Sequence, residues 1–171
     1  MIKDIYKMTK AIVIVQLITN LILIYFFYLK FKSAILLPIE YKLFTWGELS
    51  VTSFMREFHF DFMLIVIGLF SAFTLYQNHK NGWIGSIIFW LLLLTSLIVT
   101  VTYLSFTDAL DLFISDYLLA IILTIISIMS IVMLTKKSFQ EKYGFNLRNK
   151  IVIIVGVILL TINCMYSITL V

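Results

Sequence analysis

The sequence predicts an all-α membrane protein, a single transmembrane domain built as a bundle of five spanning helices. Three observations predict it: the composition, the length of the apolar stretches, and the placement of lysine and arginine. The chain has 171 residues, 62% hydrophobic and 13% charged, with a mean hydropathy of +1.07. Soluble domains are about 45–50% apolar and about 25% charged. A water-soluble fold of this size cannot hide so much apolar surface, whereas lipid solvates it on outward faces.

Crossing about 30 Å of hydrocarbon at about 1.5 Å per residue takes roughly 20 apolar residues. Stretches at about 11–29, 60–76, 83–106, 117–134 and 151–171 qualify. None contains Lys, Arg or Glu, and Asp61 stands at the lip of the second. Several are rich in Ile, Val and Thr, which favour strands in water. In lipid each backbone amide must be paired within its own segment, so helix prevails. The first stretch is too long for a signal-peptide core and lacks a small-residue cleavage site, so it reads as a retained span.

Orientation follows from the basic residues. With the N-terminus inside, nine of the 13 lie inside: Lys3, Lys7, Lys10, Lys80, Lys136, Lys137, Lys142, Arg148 and Lys150. Only Asp4 and Glu141 accompany them, while the other seven acids fall outside. The expectation is N-terminus inside, C-terminus outside, in a bacterial cytoplasmic membrane. Lys30 and Lys32 depart from the rule and are expected to snorkel to headgroups.

The first outer loop, residues 30–59, holds the one proline, Pro38, and the apolar run "AILLPI". "TWGE" at 45–48 fits a capping box between Thr45 and Glu48. Val51, Phe54, Met55 and Phe58 then recur at helical spacing, predicting a short amphipathic helix that bends into the second span or continues it. A hairpin is the alternative, because "EFHFDF" also alternates strictly. In "QNHKNG", at 77–82, Asn81-Gly82 carries turn chemistry. In "TDALDLFISD", at 107–116, Asp116 is placed to cap the fourth span. The inner basic segment, 135–150, fits a capping box from Ser138 to Glu141 and a stop at Gly144. Phe139 and Tyr143 lie four apart, predicting a short basic helix on the headgroups.

Candidate chemistry is sparse. "REFHFDF", at 56–62, places Glu57, His59 and Asp61 two apart. A strand would point all three one way. A helix stacks Glu57 on Asp61 and turns His59 about 200° away. His59 and Asp61 with Asp108 and Asp111 of the third loop form a candidate outer polar or metal cluster. The simpler reading is that they mark the water boundary and cap helices. His79 in the inner turn is a pH-sensor candidate by residue type, but nothing nearby is arranged to use its proton, and a solvated turn residue is the simpler reading. Within the spans Gln16, Asn20, Ser127 and Asn163 are candidate intramembrane contacts, as is Ser130, which shares a face with Ser127. Such groups hydrogen-bond between helices for about 0.6 kcal/mol on average. Gly68 and Ala72 make a small-residue step for close helix contact. Cys164, the one cysteine, reads as packing.

No cofactor is expected: no phosphate loop, HExxH, CxxC or GxSxG is present. Nucleic acid is not an expected partner, because the basic residues are spread as the orientation rule requires. The expected partners are the bilayer and another membrane protein. The leading reading is a non-enzymatic protein acting through contacts, as an accessory subunit, a protective (immunity) factor or an envelope protein. The alternatives are a small channel or transporter lined by the polar span residues, and an outer-face metal-dependent enzyme.

Overall fold

The computed structural model describes residues 2–41, 51–106, 114–144 and 146–169, with side chains at 5–41, 58–102, 118–144, 146, 149–159 and 161–162. Among the described residues every element is helical, and no strand occurs. α1 (Ile2–Phe31) runs into a π-helical turn, Lys32–Leu36, and then α2 (Leu37–Glu40). α3 (Val51–Tyr76), α4 (Lys80–Phe106) and α5 (Ile114–Leu134) follow, then α6 (Lys137–Tyr143) and α7 (Leu147–Thr169). α4 packs against α3, α5 and α7, and α1 packs on α3.

Three helices are long and apolar enough to cross a membrane: Ile5–Glu40, Phe58–Tyr76 and Lys80–Thr102. Leu118–Leu134 and Lys137–Tyr143, bent by 59°, make a fourth if the pair is one span. Asn149–Leu159 is a shorter apolar helix. Their outward faces are strongly apolar: Leu21 is 65% exposed, Phe70 63%, Met129 60% and Leu159 61%. Surface of that kind over whole helices suits lipid. The interior, by contrast, is filled by Trp83, Phe89 and Trp90 of α4, all fully buried.

The first span departs from the expected boundary at residue 29. Helix continues through Lys30 and Lys32 to Glu40, so much of the expected loop is helical. The physical reason lies at Pro38. A proline has no amide and crowds the carbonyl four residues back. The chain widens by one residue before it, and the Leu37 amide bonds to the carbonyl of Lys32, five residues back. A π-turn absorbs the proline without ending the helix.

Residues 51–62 are helical and continuous with α3, not a hairpin. Thr45 and Glu48, the expected capping box, lie outside the described residues. The turn between α3 and α4 is built differently from the expectation. Asn81 and Gly82 are in the first turn of α4, and the left-handed residue is Asn78, at φ 61°. The His79 amide bonds to Thr74 O at 3.0 Å and the Asn78 amide to Leu75 O at 2.9 Å. This is a Schellman ending, with asparagine in the place usually taken by glycine.

Gly82 serves packing instead. A Cβ there would collide with the backbone of Thr74 and Leu75. One turn on, a Cβ at Gly85 would lie 2.9 Å from Ser71 Cβ, and Phe89 meets Gly68 after one more. As numbers fall along α3 they rise along α4, so small residues form an antiparallel seam. The step seen in sequence at Gly68 and Ala72 is half of it.

Two expected caps are absent. Asp116 is inside α5, which is already helical at Ile114. The N-cap of α6 is Lys136, with no side-chain hydrogen bond, so Ser138 does not cap. Gly144 does end α6, at φ 61°. Asn146 caps α7 instead, its Oδ1 accepting from the Asn149 amide at 3.1 Å.

Candidate functional site: a polar clamp, a charged pocket and a buried aromatic stack

The polar residues of α1 sit where it crosses α3. Gln16 Nε2 donates to Gly68 O at 2.9 Å and to Ser71 Oγ at 2.6 Å. The Ser71 hydroxyl donates in turn to Gly68 O at 3.2 Å. Asn20 Nδ2 donates to Gln16 O at 2.8 Å, within its own helix. Gln16 and Asn20 are fully buried. Their side-chain carbonyls, Oε1 and Oδ1, lack a hydrogen-bond partner, as do Ser86 Oγ and Trp90 Nε1. A Cβ on Gly68 would strike the Asn20 amide and lie 2.6 Å from Phe89 Cε2. The missing side chain lets Asn20 and the Phe89 ring close over α3.

Of the four expected intramembrane contacts, Gln16 and Asn20 therefore adjoin one another. Ser127, also fully buried, stands apart on α5 and donates to Leu123 O of its own helix at 2.7 Å. Ser130 is buried on the same helix. The side chains of Asn163 and Cys164 lie outside the described residues. Among the described residues of this group, Gln16 alone bonds across helices. Replacing it by leucine should cost about 1–2 kcal/mol, near the upper range for interhelical bonds in membranes. Thermal unfolding of the purified chain in detergent checks this, and Ser71→Ala should cost less, because the bond to the Gly68 carbonyl survives.

His59 and Asp61 lie on α3 near the far end of α1. His59 is half-buried. Asp61 Oδ2 accepts from Lys30 Nζ at 2.9 Å, with both side chains partly exposed. The ammonium of Lys30 also lies 5.3 Å from the centre of the Phe58 ring. Phe58 is buried edge-on against Phe27 and Phe31, at 5.6 and 6.0 Å. Beside the ion pair is a cavity of about 290 Å³. Among the described residues no three His, Cys, Asp or Glu side chains are grouped to hold a metal. Asp108 and Asp111 lie outside the described residues. Lys30 is the partner that the sequence reading missed. The signal was available: Lys30 closes one apolar run, Asp61 opens the next, and antiparallel neighbours bring such flanks to one level.

The other end of the bundle gathers the start of α1, the turn at 77–79 and α6. The Trp83 indole donates to Leu134 O, the last carbonyl of α5, at 2.9 Å. Its ring stacks on Tyr143 at 5.8 Å and 12°, and Tyr143 stacks on Phe139 at 6.2 Å and 25°. Phe139 is fully buried and Tyr143 nearly so. The apolar face of α6 therefore turns into the protein, not onto headgroups as expected. Two lysines tie α6 to the turn, Lys142 from α6 itself and Lys80 from the start of α4. Lys142 Nζ donates to Asn78 Oδ1 at 2.6 Å and Lys80 Nζ to Gly144 O at 3.1 Å. Burial pushes the Lys142 ammonium below its ordinary pKa. Burial likewise raises the Tyr143 phenol, against a smaller opposite pull from the Thr9 hydroxyl. His79 is exposed in the turn.

A second cavity, about 470 Å³, opens between α4 and α5 along Ile98, Val101, Ile121 and Ile125. The chain matches no family model, no curated protein and no solved structure.

Proposed function

We propose that the chain crosses a bacterial cytoplasmic membrane five times, N-terminus inside and C-terminus outside, and acts without catalysis through contact with another membrane protein. An accessory subunit, a protective (immunity) factor and an envelope component are the roles of this kind. One observation carries the reading. The amide of Gln16, inside the first span, is bound across to Gly68 and Ser71. It joins two helices in a closed contact, as intramembrane amides do when they serve association. Neither of the two cavities described above is lined by Gln16, Asn20 or Ser127, and the Gln16 amide nitrogen is bonded to α3, which supports association over a conducting path.

The contact surface in this reading includes the outer segment between α2 and α3. Cross-linking in intact membranes followed by affinity purification tests it. The full chain should recover a defined membrane partner. Replacing residues 42–50 by a Gly-Ser linker should lose that partner while leaving the chain inserted. Ion or solute flux through the purified chain in proteoliposomes, abolished by Gln16→Leu and Asn20→Leu, would replace this reading with a channel or transporter. Reporter fusions that placed both termini on one side would remove the five-span topology.

A further inference from the structure

We propose that the cavity beside Lys30 and Asp61 is a binding site for a phospholipid whose headgroup carries both a phosphate and a primary ammonium, the phosphatidylethanolamine class. The inference rests on α1 and α3 crossing a bilayer, and not on the partner-contact reading. Its walls are Leu23, Phe26 and Phe27 of α1 and Leu64 and Ile65 of α3, with the charged pair as the polar part of the lining. From Lys30 to Leu23 the apolar wall extends about 10 Å along the helix axis, at about 1.5 Å per residue. An acyl chain fits that wall. At about 290 Å³ the space is at the small end of ligand sites, which suits a headgroup and the first part of one chain.

The charges set the headgroup. Lys30 and Asp61 are at the boundary of two apolar runs, the level of lipid headgroups. Their side chains are 44% and 38% exposed and line the cavity, so a headgroup can reach both charges. A phosphate oxygen can accept from the Lys30 ammonium, while the lipid ammonium donates to the Asp61 carboxylate. Both protein charges then stay compensated, and the two bonds are charge-assisted. A choline headgroup has no N–H to offer the carboxylate. A glycerol headgroup brings the phosphate charge with no cation of its own, so the Lys30 ammonium alone must serve both that phosphate and Asp61. The placement of Lys30, which defied the orientation rule, gains a reason: it is the phosphate-binding member of the site.

Native mass spectrometry on the full chain, released from nanodiscs of equal phosphatidylethanolamine, phosphatidylcholine and phosphatidylglycerol, reads the preference. Phosphatidylethanolamine should be retained about fivefold over phosphatidylcholine, the order of one charge-assisted bond at a partly exposed site. Asp61→Asn should bring that ratio to about one, and Lys30→Gln should weaken retention of all three lipids. Unfolding curves in detergent identify a variant that fails to fold. In that event the wild-type competition decides alone. Equal retention by the wild type, a preference for phosphatidylglycerol, or a ratio unchanged in folded Asp61→Asn would overturn the assignment. Retention of lipid in general speaks only to membrane insertion, so failure of this site is distinguishable from failure of the membrane reading.

Discussion

Gly82→Ala should leave little folded protein. Elsewhere in a helix the same change helps, since alanine favours helix over glycine by about 1 kcal/mol. At this position the added methyl falls on the backbone of α3, and Leu75 Cα alone would be only 2.6 Å away. No rotamer change relieves a clash with main chain. The start of α4 must move away by about 1 Å to restore ordinary contact, and that shift is transmitted along the seam. Gly85 loses its fit against Ser71, and Phe89 its fit against Gly68. The next residue, Trp83, moves off the carbonyl of Leu134. Overpacking of this kind costs about 3 kcal/mol or more when the neighbour cannot yield.

The measurement is thermal unfolding in detergent, with Gly156→Ala as the control. At Gly156 a methyl would meet Ile88 Cδ1 at 3.3 Å. That atom is the flexible end of a side chain, so the control should match the wild type or exceed it slightly. If Gly82→Ala unfolds with the wild type, the close approach of α3 and α4 at this seam is wrong.

What could be read from the chain divides along physical lines. Helices longer than the hydrocarbon core announce themselves by composition, and α3 and α4 fall near the stretches read as the second and third spans. Ends are harder. The run that holds Pro38 was read as loop, and a π-turn that carries helix up to a proline leaves no composition signal. Asn81-Gly82 looked like a turn because the dipeptide favours one in isolation. In the bundle the Gly82 position is needed for its lack of a side chain, and Asn78 takes the left-handed residue. The direction of α6 was equally hidden. Phe139 and Tyr143 mark an apolar face, but lipid and protein interior attract such a face for the same reason. Choosing between them required Trp83, which is 56 and 60 residues earlier in the chain. The Gln16–Asn20 face was legible as a contact, because buried amides in a span require partners. Which helix it would meet was not.

Trp83→Ala should detach α6 from the bundle. The indole does two things at once there. It fills a fully buried volume between α4, α5 and α6, and it satisfies the last carbonyl of α5 through the 2.9 Å bond from Nε1. Helix ends leave carbonyls without intrahelical partners, and a buried one left unpaired costs about 1–3 kcal/mol. Removing a buried tryptophan costs about 3–5 kcal/mol in all. Trp83→Phe separates the two contributions: a phenyl ring can still stack on Tyr143 but donates nothing, so it should cost about 1–2 kcal/mol. Unfolding measurements give the totals, and hydrogen exchange locates them. The amides of Phe139 and Gln140, bonded to Lys136 O at 2.9 and 3.1 Å, should lose protection in Trp83→Ala and largely keep it in Trp83→Phe. Local opening would expose the chain at 135–144 to protease while α3 and α4 stay protected, since opening follows the stability of each cooperative unit. Unchanged protection of α6 in Trp83→Ala would mean that the tie from Lys142 to Asn78 holds the helix by itself. In that case the double variant Trp83→Ala with Lys142→Met should release it, and the aromatic stack would be filling rather than fastening.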